Sequence, residues 1–194
     1  ITNFIYMLLF AINFIKFDLI NNQITNKMKN LFFTITLLFA VSLNANPNPN
    51  PNDFETLKQL EGKWIGTLER TNDTNDSFIL DFSITSNGSA ILEESNTGGI
   101  EMLTIFNYQN DELLLTHYCG LKNKPISTLD SSTNGKFKFK TDSKRSGLTL
   151  EKDTYVTSWE IDLMPEDENK ILYKYTVSGP DGVMFTASAE MSRI

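Results

Sequence analysis

The sequence predicts an all-β protein, an antiparallel up-and-down β-barrel of about eight to ten strands with a short helix ahead of the first. Three observations predict it. From Gly62 onward, apolar residues recur at every second position in one segment after another, the spacing that sends alternate strand side chains to opposite faces. Clusters of Gly, Asn, Asp, Ser and Pro divide these segments at short intervals, as hairpin turns do. Almost no helical periodicity interrupts them. A barrel is favoured over a sandwich because closure removes the sheet edges.

The chain opens on Ile1, and residues 4–15 are apolar without a clean cap or targeting logic. Residues 1–27 are therefore expected to be an upstream extension from a start site assigned too early; an interfacial or membrane helix over residues 4–17 is the alternative. Residues 28–45 carry the pattern of a signal peptide. Met28-Lys29-Asn30 is a short basic start, residues 31–43 are apolar, and Ala45 is a small residue suited to cleavage. That apolar run falls short of the roughly 20 residues a spanning helix needs. Stable membrane insertion of the mature chain is not expected. With no Cys near the cleavage point the lipoprotein route is closed, so the expected location is periplasmic or secreted.

Residues 46–53 alternate Asn with Pro and read as a short extended linker. Asp53 is the expected N-cap of a helix over residues 54–60, in which Phe54, Leu57 and Leu60 recur every three residues. No second linker follows, so residues 54–194 form one domain.

Within it, Phe78, Leu80, Phe82 and Ile84 alternate with polar positions. Tyr155, Thr157, Trp159, Ile161 and Leu163 share a second apolar face, and Ile171, Tyr173, Tyr175 and Val177 a third. Phe137 and Phe139 alternate with Lys136, Lys138 and Lys140, which place three cations on one strand face. A solvated edge strand explains those lysines better than RNA contact. Turns fall at Ser86-Asn87-Gly88-Ser89, Thr97-Gly98-Gly99, Gln109-Asn110-Asp111, Asn134-Gly135, residues 165–169 and Gly179-Pro180-Asp181-Gly182.

Removal of residues 1–45 takes away Lys16, Lys27, Lys29 and Asp18, leaving 14 basic against 23 acidic residues. Such a surface repels phosphate backbones, so nucleic acid is excluded as a partner. The single cysteine, Cys119, cannot form an internal disulfide, and a domain of this size has no need of one.

Gly62-Lys63-Trp64 follows the short helix and opens the first strand. It resembles the G-x-W signature of lipocalins and other calycins, and Gly66 extends it toward the G-x-W-x-G form of nitrobindin-like haem barrels. The resemblance implies that Arg193, on the expected face of Val183, Phe185, Ala187, Ala189 and Met191, packs over Trp64 to close one barrel end. Further on, Thr116-His117-Tyr118-Cys119 followed by Asn123-Lys124-Pro125 is similar to a group of exported bacterial calycin-like proteins with T-H-Y-C and then G-N-Q-P. Lys122 and Lys124 depart from that pattern.

Alternation puts Leu113, Leu115, His117 and Cys119 on one face. If the leucines point inward, an imidazole and a thiol do too. A hydrogen-bonded core histidine beside a small buried hydrophobe is the simplest account. Contact with a ligand, a haem or metal site, and a Cys-His nucleophile are the sharper ones. Zinc usually takes three or four protein ligands, and the chain has one His and one Cys. Glu93, Glu94 and Glu101 lie on neighbouring predicted strands, where solvated faces account for them equally well. No nucleophile elbow, phosphate-binding Gly loop or H-E-x-x-H helix occurs. No resident cofactor and no enzymatic activity are expected.

Trp159, Tyr173 and Tyr175 would share the interior with Phe78, Phe82 and Phe185, either as packing or as the walls of a ligand site. The candidate binding residues are thus His117, Cys119, Trp159, Tyr173 and Tyr175, with Gly62, Trp64 and Arg193 as the structural signature. The leading expectation is an exported carrier or sensor of a small apolar or amphipathic molecule, marked by a cavity above about 300 Å³. The alternative is an interaction module with a filled barrel and an exposed apolar patch.

Overall fold

A computed structural model describes residues 50–194. They belong to one compact unit, Asn46–Ile194. The expected 1–27 extension, the 28–45 signal peptide and residues 46–49 of the linker lie outside the described residues.

Helix α1 spans Pro51–Leu57 and continues as a 3-10 turn, Lys58–Leu60. It begins three residues earlier than the periodicity predicts, so the last part of the expected linker is helical. The cause is a capping box on the neighbouring residue. Asn50 Oδ1 accepts from the Asn52 amide and Asp53 Oδ2 from the Asn50 amide, both at 3.0 Å. Pro51 sits at the first helical position, where its fixed φ fits and its missing donor costs nothing. Asp53 is the third residue of the helix rather than its cap.

Ten antiparallel strands follow: β1 Gly62–Arg70, β2 Asn75–Thr85, β3 Ala90–Thr97, β4 Ile100–Gln109, β5 Glu112–Tyr118, β6 Ile126–Thr133, β7 Lys136–Thr141, β8 Tyr155–Asp162, β9 Lys170–Gly179 and β10 Gly182–Arg193. A one-turn helix, α2 (Ser143–Ser146), lies between β7 and β8. Each strand pairs with the next in sequence, and β10 pairs with β1, placing Trp64 opposite Arg193. The sheet is a closed up-and-down barrel, a fold of the calycin-like class.

Closure changes the account of the β7 lysines. β7 is no edge strand: it lies between β6 and β8. Lys136 pairs with Asp162 at 3.0 Å and Lys138 with Glu160 at 3.4 Å across the β7–β8 seam. These are surface pairs, screened by solvent, and contribute little to stability.

The end of the barrel beside α1 is filled. Phe54, Leu57 and Leu60 join a buried cluster with Trp64, Leu80 and Phe106. Trp64 Nε1 donates to the Leu60 carbonyl at 2.8 Å. The Arg193 guanidinium lies over the Trp64 ring at 4.1 Å and donates to the carbonyls of Gln59 and Glu61. Both signature glycines answer to this closure. Gly62 has φ +118°, and a Cβ there would lie 2.9 Å from Arg193 Nη1; at Gly66 a Cβ would meet the Glu190 carbonyl oxygen at 2.7 Å.

Toward the opposite end the pattern departs from expectation in β10. The register shifts between Val183 and Phe185, which turns Val183 out to 67% exposure instead of onto the inner face with Phe185.

Candidate functional site

The lumen is packed at one end and open at the other. A cavity of about 270 Å³ occupies the half remote from α1. Its walls come from the ends of β1 and β2 (Arg70, Asp76, Phe78), β3 and β4 (Ser95, Thr97, Met102), β5 (His117) and the loop just after it (Cys119), β8 and β9 (Val156, Trp159, Tyr173, Tyr175, Val177) and β10 (Phe185). All five binding candidates read from the sequence line it. Phe82, expected to share the interior with them, does so on the filled side, where it packs against Phe106.

A polar row forms the floor. In the sheet register Glu93 of β3 stands opposite Thr104 of β4, and Thr104 opposite His117 of β5. All three point inward and are buried. Thr104 Oγ1 lies 2.8 Å from Glu93 Oε1 and 2.9 Å from His117 Nδ1. From the far wall, Tyr173 of β9 donates its hydroxyl to Glu93 Oε2 at 2.7 Å. Trp159 packs edge-on against His117 and Tyr173, with ring centroids 4.9 and 5.9 Å apart, and against Tyr175 at 5.4 Å.

The strands dictate this arrangement. Ile91, Glu93, Ser95 and Thr97 share one face of β3, and Ile91 anchors that face in the core. Glu93 is therefore carried inside by its neighbours despite its charge, at 1% exposure. The expectation of a solvated strand face holds for Glu94 and Glu101, both exposed, and fails for Glu93.

Electrostatics follow from burial. Loss of water lifts the Glu93 carboxyl from its usual 4.5 to about 7, against the opposing pull of the Tyr173 and Thr104 hydroxyls. Burial pushes the His117 imidazole down to about 4, so it is neutral at physiological pH. Burial also raises the Cys119 thiol and holds the Tyr173 phenol well above its usual range. When Glu93 is ionised, Thr104 gives it its single proton, so His117 Nδ1 must be the donor to Thr104. Nε2 is then a bare acceptor on a ring that lines the cavity.

Two buried polar atoms among the described cavity-lining residues have no protein partner: Trp159 Nε1, on a residue 4% exposed, and Thr97 Oγ1, on one 5% exposed. At the mouth, Arg70 pairs with Asp76 at 2.6 Å and its guanidinium lies over the Phe185 ring. Ile100, Leu121 and Met184 also line the cavity and are exposed, giving the opening an apolar rim.

Comparison with known proteins locates the fold. No protein-family model and no curated protein matches the chain. Solved barrels do match. One is the crystal structure of a Nostoc punctiforme protein of unknown function from the DUF3598 family, with a TM-score of 0.50 at 11% identity over 71% of this chain. The chain spans about half of that protein, 49% of its length. Two designed barrels align more loosely. EF1p2_mFAP2b bound to DFHBI has a TM-score of 0.37 at 10% identity over 73% of this chain and 98% of that one. A de novo designed fluorescence-activating beta barrel has a TM-score of 0.32 at 11% identity over 71% and 95%.

Chemically, the site offers an apolar enclosure with hydrogen-bonding groups at its floor and along one wall. Among the described residues no group of three or more His, Cys, Asp or Glu side chains is placed to hold a metal ion. Haem, the group implied by the likeness to nitrobindin-like barrels, does not fit. His117 Nε2 is a suitable axial donor, but the volume lies below the roughly 300–1,000 Å³ of pockets for drug-sized ligands, and a porphyrin is larger than most of those. Thr104 is the site residue that sequence reasoning missed, and Glu93 was weighed there only as one of three carboxylates that solvated strand faces explain equally well. Local alternation holds no signal that separates Glu93 from Glu94; the β2–β3 register of the fold, which sets Phe82 directly opposite Glu93, does.

Proposed function

We propose that the protein is an exported carrier or sensor that holds a small apolar or amphipathic molecule in the open half of its barrel. The observation that carries this reading is the pair of unpartnered polar groups in an apolar enclosure. Trp159 Nε1 and Thr97 Oγ1 are removed from water without a protein hydrogen bond, at a cost of about 1–3 kcal/mol each. A ligand with matching groups offsets that cost on entry. Size narrows the class. An apolar cavity of about 150 Å³ suffices for benzene. A volume of about 270 Å³, slightly below the mark set from the sequence, suits a molecule of one or two rings. Export rests on the signal-peptide pattern of residues 28–45.

Native mass spectrometry of the purified protein, compared with the same sample denatured, tests the reading. An added mass of small-molecule size that is lost on denaturation supports it. A clean mass after exposure to extracts of the native host and its medium counts against it.

A second reading has one observation in its favour. Glu93 titrates near neutrality inside a cavity, as a general acid or base does. On that reading Glu93→Gln abolishes turnover of a bound substrate while leaving its affinity intact, and on the carrier reading there is no turnover to lose.

A further inference from the structure

Glu93 is a buried carboxyl with no cation to answer it. Its partners are two hydroxyls, and no ion pair to it exists among the described residues. Buried carboxylates in proteins are ordinarily paired or metal-bound, because an isolated charge in a low-dielectric interior is strongly disfavoured. Here the missing charge faces a cavity walled by aromatic rings. Phe78, Trp159, Tyr173, Tyr175 and Phe185 all line it, and their faces attract cations. The imidazole beside Glu93 adds an acceptor in Nε2 when Nδ1 is bonded to Thr104. The polar side of the floor is thus acceptor-rich and anionic, while the unpartnered Trp159 N–H, nine-tenths buried and more, supplies a donor.

Extending the carrier reading, on which it rests, we infer that the cavity takes a small arylalkylamine, its ammonium group on Glu93 and His117 and a hydrogen-bond acceptor on its ring end within reach of Trp159. The aromatic walls hold the body of such a molecule and also stabilise its charge. The overall acidity of the chain, net -7, favours approach of a cation. The arginine at the mouth does not oppose entry, because Asp76 neutralises it.

Binding of this kind is linked to the proton on Glu93. The titratable groups that share its surroundings are His117 from β5, Cys119 just after it, Tyr173 and Tyr175 from β9, and the Arg70–Asp76 pair from β1 and β2. Burial keeps the imidazole neutral and the thiol and both phenols protonated near pH 7, so Glu93 is the group whose charge changes there. An ammonium ligand binds the ionised form and releases its proton.

Isothermal titration calorimetry with tyramine and with para-propylphenol, a neutral molecule of the same shape, tests the inference on the purified protein. Tyramine is expected to bind at least about tenfold more tightly at pH 8 than the neutral phenol, in keeping with the strength of a desolvated charge pair. Its affinity falls toward pH 5, while that of para-propylphenol stays level. Glu93→Gln reverses the preference between the two. Should that variant fail to fold, the pH dependence in the unaltered protein decides alone. Equal or tighter binding of para-propylphenol at pH 8 overturns the amine assignment and leaves the carrier reading standing. Failure of both probes to bind also overturns it, and only a clean mass in the native spectrum takes the carrier reading down with it.

Discussion

The hydroxyl of Tyr173 reaches 2.7 Å to Glu93 Oε2 from a residue 80 positions away in the chain, bridging the lumen from β9 to β3. This bond separates the packed half of the barrel from the open half. It also ties the stability of the floor to pH.

Tyr173→Phe removes one of the two hydroxyl donors of Glu93 without removing the ring. Leaving a buried carboxyl short of a partner costs about 1–3 kcal/mol. The loss is expected to be larger at pH 8, where Glu93 is ionised and needs the donor, than at pH 5, where it is protonated. Urea unfolding at the two pH values checks this, and an equal loss at both would contradict it.

Glu93 and His117 push stability in opposite directions over nearly the same range. The carboxyl is raised from 4.5 to about 7, so the folded state binds its proton more tightly and stability declines as pH rises across that window. The imidazole is lowered from 6.5 to about 4, so stability declines as pH falls from 6.5 to 4. Each amounts to about 3 kcal/mol, and in the unaltered protein the two largely cancel between pH 4.5 and 6.5. Glu93→Gln unmasks the histidine: its stability is expected to drop by about 3 kcal/mol on acidification from pH 6.5 to 4, beyond the change in the parent. Urea midpoints across that range measure it.

Replacing Arg193 with Lys keeps the charge but loses the planar fork that contacts two carbonyls and covers the Trp64 ring. A loss of about 1–3 kcal/mol is expected, with no change in the denaturant slope. Urea unfolding followed by tryptophan fluorescence, to which Trp64 and Trp159 both contribute, measures it.

Thr97→Val deletes a buried hydroxyl that has no partner and keeps the side-chain shape. The variant is expected to be about 1 kcal/mol more stable in the absence of ligand. It should hold a hydroxyl-bearing ligand less tightly. Higher stability with weaker binding is the signature of a polar group kept for function. Unchanged stability would mean that the hydroxyl is satisfied in solution.

The barrel was legible in the sequence because period-2 strands such as β2 and β9 declare their inner faces and the hairpins carry their own turn residues. The seam was legible only through the resemblance of Gly62-Lys63-Trp64 to the calycin signature, which implied Arg193 over Trp64; alternation alone does not pair β1 with β10. The start of helix α1 was not, because the Asn-Pro repeat satisfies both an extended linker and a capped helix start. The site was half legible. His117, Cys119, Trp159, Tyr173 and Tyr175 announce themselves by parity, whereas β3 reads Ile91-Leu92-Glu93-Glu94, one apolar and one acidic residue on each face. Local alternation cannot choose between those faces. Pairing with β2 chooses, and pairing is a property of the fold.

The seam between Trp64 of β1 and Arg193 of β10 has a kinetic consequence. Neighbouring hairpins can form early because each closes a short loop, but this pairing joins nearly the two ends of the domain and must overcome the largest loop entropy in it. Until β10 docks, the sheet is an open ribbon with two free edges, and Glu93 and Tyr173 have no lumen to span. The interior and whatever occupies it therefore depend on the contact that closes the most chain, because no lumen exists until that pairing has formed.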